Sequence, residues 1–496
     1  MRCWGLPVFA IAFAFVLVSC GGGASSPGST GAVGDQRASA VSENEPADPT
    51  VEKPASPDTR FSPDSASLER LVFWDDSDSI IRLVIPDDER RLFEQLLASD
   101  DPAADKYLVA LATSPNPYRL LVTDHLRDRF DSPPVVSVYA YPELFHFAAA
   151  DETDAYIVFK HALYAGWSPA LAELVAPDLA RIVDAREVQL GGVDFDAIPP
   201  LDFPTYESAA QAASWLNGHD EIVGITVNGD SRAYPLRIIA WHEMVNDTIG
   251  GVPVTLAYCT LCGTAILYDG RVGPNLYRFG TSGLLYRSNK LMFDDQTRTL
   301  WNQFTGAAVW GGLVGTGARL ASLPVTYTTW DSWLLENPET VVLSLETGFE
   351  RDYRPGVAYA AYNSSADPSF NVPVADERLE PKEEVFVLRI GEVFSAYPTA
   401  VLAERGLVRD TIDGVNVVVV ATADGRGGRA YLVGGVRFVR VDPEARSIVD
   451  ADDRIWAIGE DGLMGPAGSR LERANGHNAF WFAVVNQTPN ARLYEG

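Results

Sequence analysis

The order of apolar and polar positions divides the chain into segments of different predicted structure. Val8 to Val18 is an unbroken apolar run of eleven residues, preceded by a short stretch with one positive charge. A membrane-spanning helix needs about 20 apolar residues, so this run is typical of the central region of a secretory signal peptide. Residues 21–64 are rich in Gly, Ser, Pro and acidic residues without apolar periodicity, and we expect a disordered tether there.

The pattern from residue 65 to residue 200 is mainly helical. Segment 89–97 begins with acidic residues and places its apolar side chains on one face. Ser168 and Pro169 are typical of a helix N-cap and first turn, so a further helix is predicted through Val175. These features predict a small helical domain.

Short strands rich in β-branched and aromatic residues follow this domain. Segments 221–227 and 231–234 predict a hairpin around an Asn-Gly turn. A helix is predicted from Pro235 through Val245, and segment 252–258 predicts the next strand. This part of the chain is therefore predicted to be β-rich with some helix.

One segment of the chain occurs twice. Residues 224–262 align without a gap with residues 387–425, at a constant offset of 163. Seven of the ten positions from 245 to 254 are identical in this alignment, and an Ala-Tyr-Pro tripeptide recurs as well. Such self-similarity indicates one structural module carried twice.

These patterns together predict an α+β fold, in which a helical N-terminal domain is followed by a duplicated β-rich module with some helix. The predicted organisation is a signal peptide (1–19), a lipid-anchored disordered tether (20–64), a helical domain (65–200), a first module copy with the candidate site (201–375) and a second, degenerate copy (376–496).

The charge of the chain limits its partners. The sequence has 39 basic and 67 acidic residues, for a formal net charge of −28. This sign argues against nucleic acid and against anionic lipid headgroups as partners. An acidic surface that keeps an exported protein soluble is the simpler interpretation. No nucleotide cofactor is indicated, and the sequence does not identify a protein partner.

The end of the apolar run carries a second signal. Leu17-Val18-Ser19-Cys20 resembles the bacterial lipobox, in which the cysteine thiol is acylated and becomes the new N-terminus. This resemblance implies an exported protein that the lipid on Cys20 anchors to the membrane of a bacterial cell envelope. The Gly- and Ser-rich residues that follow are what such an anchor needs as a tether.

The remaining cysteines form one pair. Of four cysteines in the chain, Cys3 leaves with the signal peptide and Cys20 is consumed by the lipid. Cys259 and Cys262 are left as a CxxC motif, which is too few cysteines for a disulfide-stapled scaffold. In the second copy a threonine and a glycine occupy their positions, so the cysteines are not needed to build the fold if both copies fold alike.

The leading hypothesis is that the pair binds a soft transition metal. Two thiolates in a CxxC motif can hold one ion, and His242 and Met292 are candidates to complete the ligand set. Soft sulfur and nitrogen donors outside the cytoplasm favour copper, as Cu(I), before zinc. Glu243 and Asn246 lie beside His242 and are further candidates for the site.

Two alternatives stay open. The pair can cycle between dithiol and disulfide in an extracytoplasmic redox protein, although a β-like run rather than a helix follows the motif. It can also be a structural disulfide in a non-catalytic interaction or scaffold lipoprotein. The sequence leaves open whether the chain is an enzyme.

The chain resembles a bacterial and archaeal family of unknown function, numbered 3179. The resemblance implies an exported protein with a site at the CxxC motif, but it supplies no established reaction. Members usually carry Pro where this chain has Thr260. The residues that carry the resemblance are Ala233-Tyr234-Pro235, His242-Glu243-Met244-Val245-Asn246-Asp247, Tyr258-Cys259-Thr260-Leu261-Cys262-Gly263-Thr264, Phe279-Gly280-Thr281-Ser282-Gly283-Leu284-Leu285-Tyr286, Thr299-Leu300-Trp301 and Thr347-Gly348-Phe349-Glu350-Arg351-Asp352-Tyr353.

Replacement of the lipid-bearing cysteine tests the anchor. We expect Cys20→Ser to leave the protein exported but soluble, because the rest of the sequence has no apolar segment of membrane-spanning length. Membrane and soluble fractions, separated after a high-salt wash, provide the measurement. A variant that stays in the membrane fraction would contradict the lipoprotein prediction.

Overall fold

The structure is a computed structural model, and part of the chain lies outside the residues that it describes. The signal peptide, Cys20 and the tether predicted from the sequence belong to that part. No helix in the described part of the chain is long and apolar enough to cross a membrane. The described residues are 93–99, 102–114, 119–130, 154–368, 372, 376–443 and 445–496.

The N-terminal part of the described chain is helical. Ser168 caps the last of its helices, and its Oγ accepts a hydrogen bond from the backbone N–H of Leu171 at 3.3 Å, as the sequence predicts. Of the predicted helix 89–97, residues 93–97 are described and are helical. The helices are α1 (Pro102–Ala112), α2 (Arg119–Phe130), α3 (Asp154–Trp167) and α4 (Pro169–Leu174).

Seventeen strands and four short helices follow in the described residues from 188 to 368. The strands are β1 (Val188–Leu190), β2 (Leu201–Asp202), β3 (Tyr206–Ser208), β4 (Glu221–Val227), β5 (Asp230–Pro235), β6 (Met244–Ile249), β7 (Val252–Cys259), β8 (Thr264–Asp269), β9 (Arg271–Val272), β10 (Asn275–Leu276), β11 (Phe279–Tyr286), β12 (Asn289–Asp294), β13 (Leu300–Asn302), β14 (Ala308–Trp310), β15 (Ser322–Leu323), β16 (Thr326–Thr329) and β17 (Val341–Leu343). The helices are α5 (Ala209–Ala212), α6 (Leu236–His242), α7 (Trp330–Glu336) and α8 (Ala360–Ser364).

The C-terminal part adds twelve strands and two short helices among the described residues from 376 onward. The strands are β18 (Glu384–Ile390), β19 (Val393–Pro398), β20 (Leu407–Ile412), β21 (Val415–Ala421), β22 (Gly428–Leu432), β23 (Phe438–Asp442), β24 (Ser447–Asp450), β25 (Ile455–Gly459), β26 (Gly462–Met464), β27 (Arg470–Ala474), β28 (Gly476–Phe480) and β29 (Arg492–Leu493). The helices are α9 (Thr399–Arg405) and α10 (Trp481–Gln487).

The fold is α+β, as the sequence predicts, and its sheets are mostly antiparallel. Residues 201–375, called the first module below, contribute the strand orders β15-β8-β7-β6-β2 and β16-β4-β5-β17-β3. Together with the preceding strand β1 they also form the sheet of order β1-β11-β12-β13-β14. Residues 376–496, the second module, contribute β28-β18-β19-β29 and an eight-stranded sheet of order β20-β21-β22-β27-β26-β25-β24-β23. The N-terminal helices share a hydrophobic core with the β1-to-β14 sheet, where Phe159 and Leu163 belong to the same cluster as Leu291 and Trp310.

Part of each module has the same order of elements. The bounds of β4, β5, α6 and β6, shifted by 163, coincide with those of β18, β19, α9 and β20. The strand order β6-β7-β8-β15 corresponds to β20-β21-β22-β27, and β16-β4-β5-β17 corresponds to β28-β18-β19-β29. In each module the strand before the helix also has a parallel neighbour. Strand β17 pairs in parallel with β5, and β29 pairs in parallel with β19.

The predicted hairpin at 221–234 is present, with Asn228 and Gly229 both at positive φ in its turn. The helix predicted from Pro235 through Val245 is shorter in the structure. Helix α6 ends at His242, because Glu243 adopts a left-handed backbone conformation and Met244 already starts a strand. The β-branched residues after it favour that strand over a continued helix.

The second module covers the β7–β8 turn of the first module, and the first module covers the β21–β22 turn of the second. In the first module a Cβ added at Gly263 would lie only 3.2 Å from the Phe480 ring of the second module. In the second module the Asp424 carboxylate accepts bonds from Thr328 Oγ1 at 2.8 Å and Thr329 N at 2.6 Å, both in the first module. Thr329 and Phe480 lie at corresponding positions, each paired with the first residue of the neighbouring strand.

The turn of the second module is held without sulfur. Thr422 Oγ1 donates to the Asp424 carboxylate at 2.7 Å and accepts from the Gly427 N–H at 2.9 Å. These hydrogen bonds fix the same connection that Cys259 to Cys262 make in the first module. The turn therefore does not depend on thiols for its shape.

Substitution of both cysteines tests whether they support the fold. We expect Cys259→Ser with Cys262→Ser to lower the free energy of unfolding of the reduced, metal-free protein by only about 1–3 kcal/mol, the cost of burying two hydroxyl groups. Denaturant unfolding followed by circular dichroism measures this change. A loss above about 4 kcal/mol would mean that the cysteines are structural.

Candidate functional site

The CxxC motif is the tip of a β-hairpin. Strand β7 ends at Cys259, residues Thr260–Cys262 form one turn of 3₁₀ helix, and Cys259 pairs with Thr264 at the start of β8. Gly263 reverses the chain with φ of +61°, a conformation that glycine adopts without steric cost. The hairpin thus sets both cysteines on one short, closed connection.

The two cysteines face each other in the interior. Cys259 is 2% exposed and Cys262 is fully buried, and their Sγ atoms lie 2.7 Å apart. Phe482 and Tyr362 pack in the same hydrophobic cluster and, with the partly buried Phe480, cover the pair. This arrangement allows the sulfurs to share a proton or to form a disulfide, whose S–S bond is about 2.05 Å long.

A buried ion pair lies beside the sulfurs. Lys290 Nζ is 3.0 Å from the Glu243 carboxylate, and the two side chains are only 3% and 9% exposed. Lys290 also donates to the Glu243 backbone carbonyl at 3.2 Å. The Glu243 carboxylate accepts further bonds from Thr260 Oγ1 at 3.4 Å and Tyr359 OH at 3.2 Å. Glu243 therefore connects Lys290 to the turn between the cysteines.

The surroundings make the two thiols chemically different. Burial and the Glu243 carboxylate raise the pKa of Cys259, but the hydrogen bond with Cys262 and the Lys290 ammonium and backbone N–H outweigh them, and the pKa lies below the ordinary value. Burial and the adjacent Cys259 together raise the pKa of Cys262 well above its ordinary value. Cys259 is thus the thiol of the pair that loses its proton more readily.

The backbone of Glu243 is strained. It ends helix α6 with φ of +59°, in the left-handed region where a side chain is unfavourable. The second module has Gly406 at the corresponding position, with φ of +69°. A non-glycine residue in this conformation costs of order 1–3 kcal/mol. The position itself therefore favours glycine, and the first module carries a carboxylate instead.

The hairpin between β11 and β12 brings the other half of the site. Arg287 and Ser288 at its tip are both at positive φ, and the Ser288 carbonyl accepts from Cys262 Sγ at 3.1 Å. Lys290 follows two residues later with its ammonium on the Glu243 carboxylate. Sequence reasoning missed Lys290, although a single lysine within the apolar strand around Met292 was a detectable signal.

His242 has other partners than the cysteines. Its Nδ1 donates to the Pro199 carbonyl at 2.9 Å, and its Nε2 accepts from Tyr353 OH at 2.6 Å. Burial lowers the pKa of His242, so the ring stays neutral. Both ring nitrogens are therefore occupied by hydrogen bonds that hold the segments around Pro199 and Tyr353.

Met292 and Asn246 also lie in structural surroundings. Met292 is fully buried in a hydrophobic cluster with Phe279 and Trp301. The Asn246 amide donates to the Phe279 carbonyl at 2.9 Å and accepts from Thr255 Oγ1 at 2.9 Å, so it connects three strands. In the described part of the chain, no group of three or more His, Cys, Asp and Glu residues is placed to hold one metal ion.

A cleft opens on the outer side of the CxxC turn. It has a volume of about 830 Å³, and Tyr258, Thr260 and Gly263 of the first module line it together with Phe480 of the second. The residues on both sides of the two cysteines thus border a space large enough for a segment of another molecule.

Fold and site together define an α+β protein of two topologically matched modules with one buried, electrostatically polarised CxxC pair. The model of a family described as "Protein of unknown function (DUF3179)" matches residues 195–491, which is more than half of the chain and includes both modules. The chain belongs to this family. No curated protein and no solved structure matches it.

The ion pair beside the thiols can be tested by a double-mutant cycle. We expect Lys290→Met alone to lower the free energy of unfolding by about 3–5 kcal/mol, because it leaves a buried carboxylate unpaired. Lys290→Met combined with Glu243→Gln should restore most of that loss, since no buried charge remains. Denaturant unfolding measures these two variants and Glu243→Gln alone. The surface pair Arg389 and Glu392 provides a control that should change stability by less than about 1 kcal/mol.

The Lys290 and Glu243 variants also test how the ion pair affects the pKa of Cys259. Alkylation of Cys259 by iodoacetamide in the reduced protein should accelerate as the pH rises through the thiol pKa. Because the Lys290 ammonium lowers that pKa and the Glu243 carboxylate raises it, Lys290→Met alone should need a higher pH for the same rate. The combined variant, which removes both charges, should need a lower pH than Lys290→Met alone. An unchanged pH profile would show that Lys290 does not act on the sulfur.

Proposed function

We propose that this protein is an exported, lipid-anchored thiol–disulfide oxidoreductase, with Cys259 as the attacking thiolate and Cys262 as the resolving thiol. The observation that carries the proposal is the direct contact of the two sulfurs beside Lys290, which gives one of them a lowered and the other a raised pKa. Such asymmetry is what an attacking and a resolving thiol require.

The exchange reaction proceeds in two steps. Because both sulfurs are buried, the cover formed by Tyr362, Phe480 and Phe482 first has to open. The Cys259 thiolate then attacks a disulfide of a partner polypeptide, a mixed disulfide forms, and one partner sulfur leaves as a thiolate. Cys262 then loses its proton to that thiolate and attacks Cys259 Sγ, so an intramolecular disulfide forms and the second partner sulfur leaves and takes a proton from water. Two electrons and two protons pass to the partner, and the reverse direction oxidises a partner dithiol.

Lys290 and Glu243 act on these steps through charge and position. The Lys290 ammonium stabilises the Cys259 thiolate before the attack and again when Cys259 leaves as the resolving step is reversed. Glu243 holds Lys290 and the Thr260 hydroxyl in place. A purely structural disulfide would have no use for this buried charge pair, which supports the redox role over the scaffold alternative.

We further propose that the two modules are copies of one unit and that only the first retains chemistry. The corresponding strand orders and the offset of 163 support this. The second module then serves as the cover of the site through Phe480 and Phe482. The copper or zinc site predicted from the sequence stays a prediction. The contacts of His242 and Met292 are with other residues than the two cysteines.

A redox titration tests the proposal. Purified protein, equilibrated in glutathione buffers of graded potential and trapped by alkylation, should shift between dithiol and disulfide in one reversible two-electron step. Cys262→Ser should instead trap a mixed disulfide between Cys259 and a small aromatic disulfide, because the resolving thiol is absent. His242→Ala is the matched control and should leave the potential unchanged.

Other outcomes would decide against this function. A pair that stays oxidised throughout the accessible range, without mixed disulfides in Cys262→Ser, would indicate a structural disulfide. The reduced protein could instead bind stoichiometric Cu(I) or Zn(II) in competition with a chelator. Such binding, weakened by His242→Ala or Met292→Leu, would favour a metal site.

A further inference from the structure

The cleft beside the CxxC turn contains two carboxylates at corresponding positions of the two modules. Glu221 and Glu384 are the first residues of β4 and β18, and both line the cleft. Glu221 forms an ion pair with Arg426. Glu384 has no ion pair or side-chain hydrogen bond among the described residues, and burial together with the adjacent Glu221 raises the pKa of its carboxyl group.

A tyrosine hydroxyl in the same cleft is also without a partner. Tyr258 lines the cleft and is only 7% exposed, and in the part of the chain that the structure describes its hydroxyl makes no hydrogen bond. The hydroxyl oxygen is open to the cleft rather than fully buried, so it is available to a bound group. Tyr258 immediately precedes Cys259, so a group that binds to its hydroxyl lies beside the reactive pair.

The basic residues that line the cleft already have partners. Arg237 lies 3.5 Å from Asp220 in an ion pair and donates to the Trp215 carbonyl. Arg426 is paired with Glu221. The Lys382 ammonium donates to two backbone carbonyls, at 2.7 and 2.8 Å. The cleft therefore satisfies its own cations and leaves an anionic group and a hydroxyl oxygen unpaired.

We infer that the cleft binds a basic side chain, lysine or arginine, of the polypeptide whose disulfide the CxxC pair exchanges. Glu384 supplies the counter-charge and Tyr258 a neutral acceptor, while Tyr327 adds a second aromatic side chain to the lining. This inference rests on the proposed function, because it places the basic residue close to the partner's disulfide. It assigns a substrate class: polypeptides with a cationic residue near the bridge.

Two disulfide-bridged peptides test the inference. They are identical except for one residue beside the bridge, which is lysine in one and the uncharged norleucine in the other. At low salt, the reduced protein should reduce the lysine peptide with a kcat/KM larger on the order of tenfold, as expected for a charged hydrogen bond in a partly buried site. Glu384→Gln should bring the ratio close to one.

Matched variants keep the result interpretable. Glu392→Gln removes the same charge from an exposed position of the second module and should preserve the ratio. Tyr258→Phe should lower the ratio without removing a charge, and it replaces Glu384→Gln if that variant does not fold. Equal rates for the two peptides with the unmodified protein would overturn the inference and leave the redox function standing.

A binding measurement separates the two proposals. If neither peptide is reduced, the proposed redox function fails. Calorimetric binding of thioether-bridged versions of both peptides then tests whether the cleft binds a cation. Tighter binding of the lysine version, lost in Glu384→Gln, would support a cation-binding cleft without redox chemistry. Equal affinities would overturn the cleft assignment as well.

Discussion

The buried contact between Lys290 and Glu243 is the constraint on which the site depends. Each charge taken out of water costs several kcal/mol unless its partner is held in place, so the β11–β12 hairpin and the end of helix α6 must meet in one geometry. That geometry aligns the Lys290 backbone N–H with Cys259 and the Ser288 carbonyl with Cys262. The polarisation of the two thiols arises mainly from their own burial and their mutual hydrogen bond, and Lys290 adds to it.

The second module completes the site although it carries no cysteine. Its Phe480 and Phe482 cover the CxxC turn of the first module, and its own turn is bonded through Asp424 to the first module. The reciprocal contacts explain why the modules differ at equivalent places: one turn is covered by aromatic rings and the other by hydrogen bonds. Neither module would bury its turn alone.

Local patterns in the sequence were sufficient for part of this description. The α+β class, the hairpin around Asn228 and the CxxC pair follow from periodicity and turn residues, which act over a few neighbouring positions. Lys290 could not be assigned in the same way, because its partner lies 47 residues away and only the tertiary fold joins them. His242 was selected for its side-chain chemistry, and its hydrogen bonds to Pro199 and Tyr353 depend equally on distant segments.

The left-handed residue that ends helix α6 has a consequence for the comparison of related chains. At this position glycine is the low-strain choice, and the second module uses it in Gly406. In the first module the glutamate at this position is the partner of the buried Lys290 ammonium. The identity of this one residue, read together with the CxxC motif and the lysine in strand β12, therefore distinguishes a module with the buried charge pair from one with the unstrained glycine.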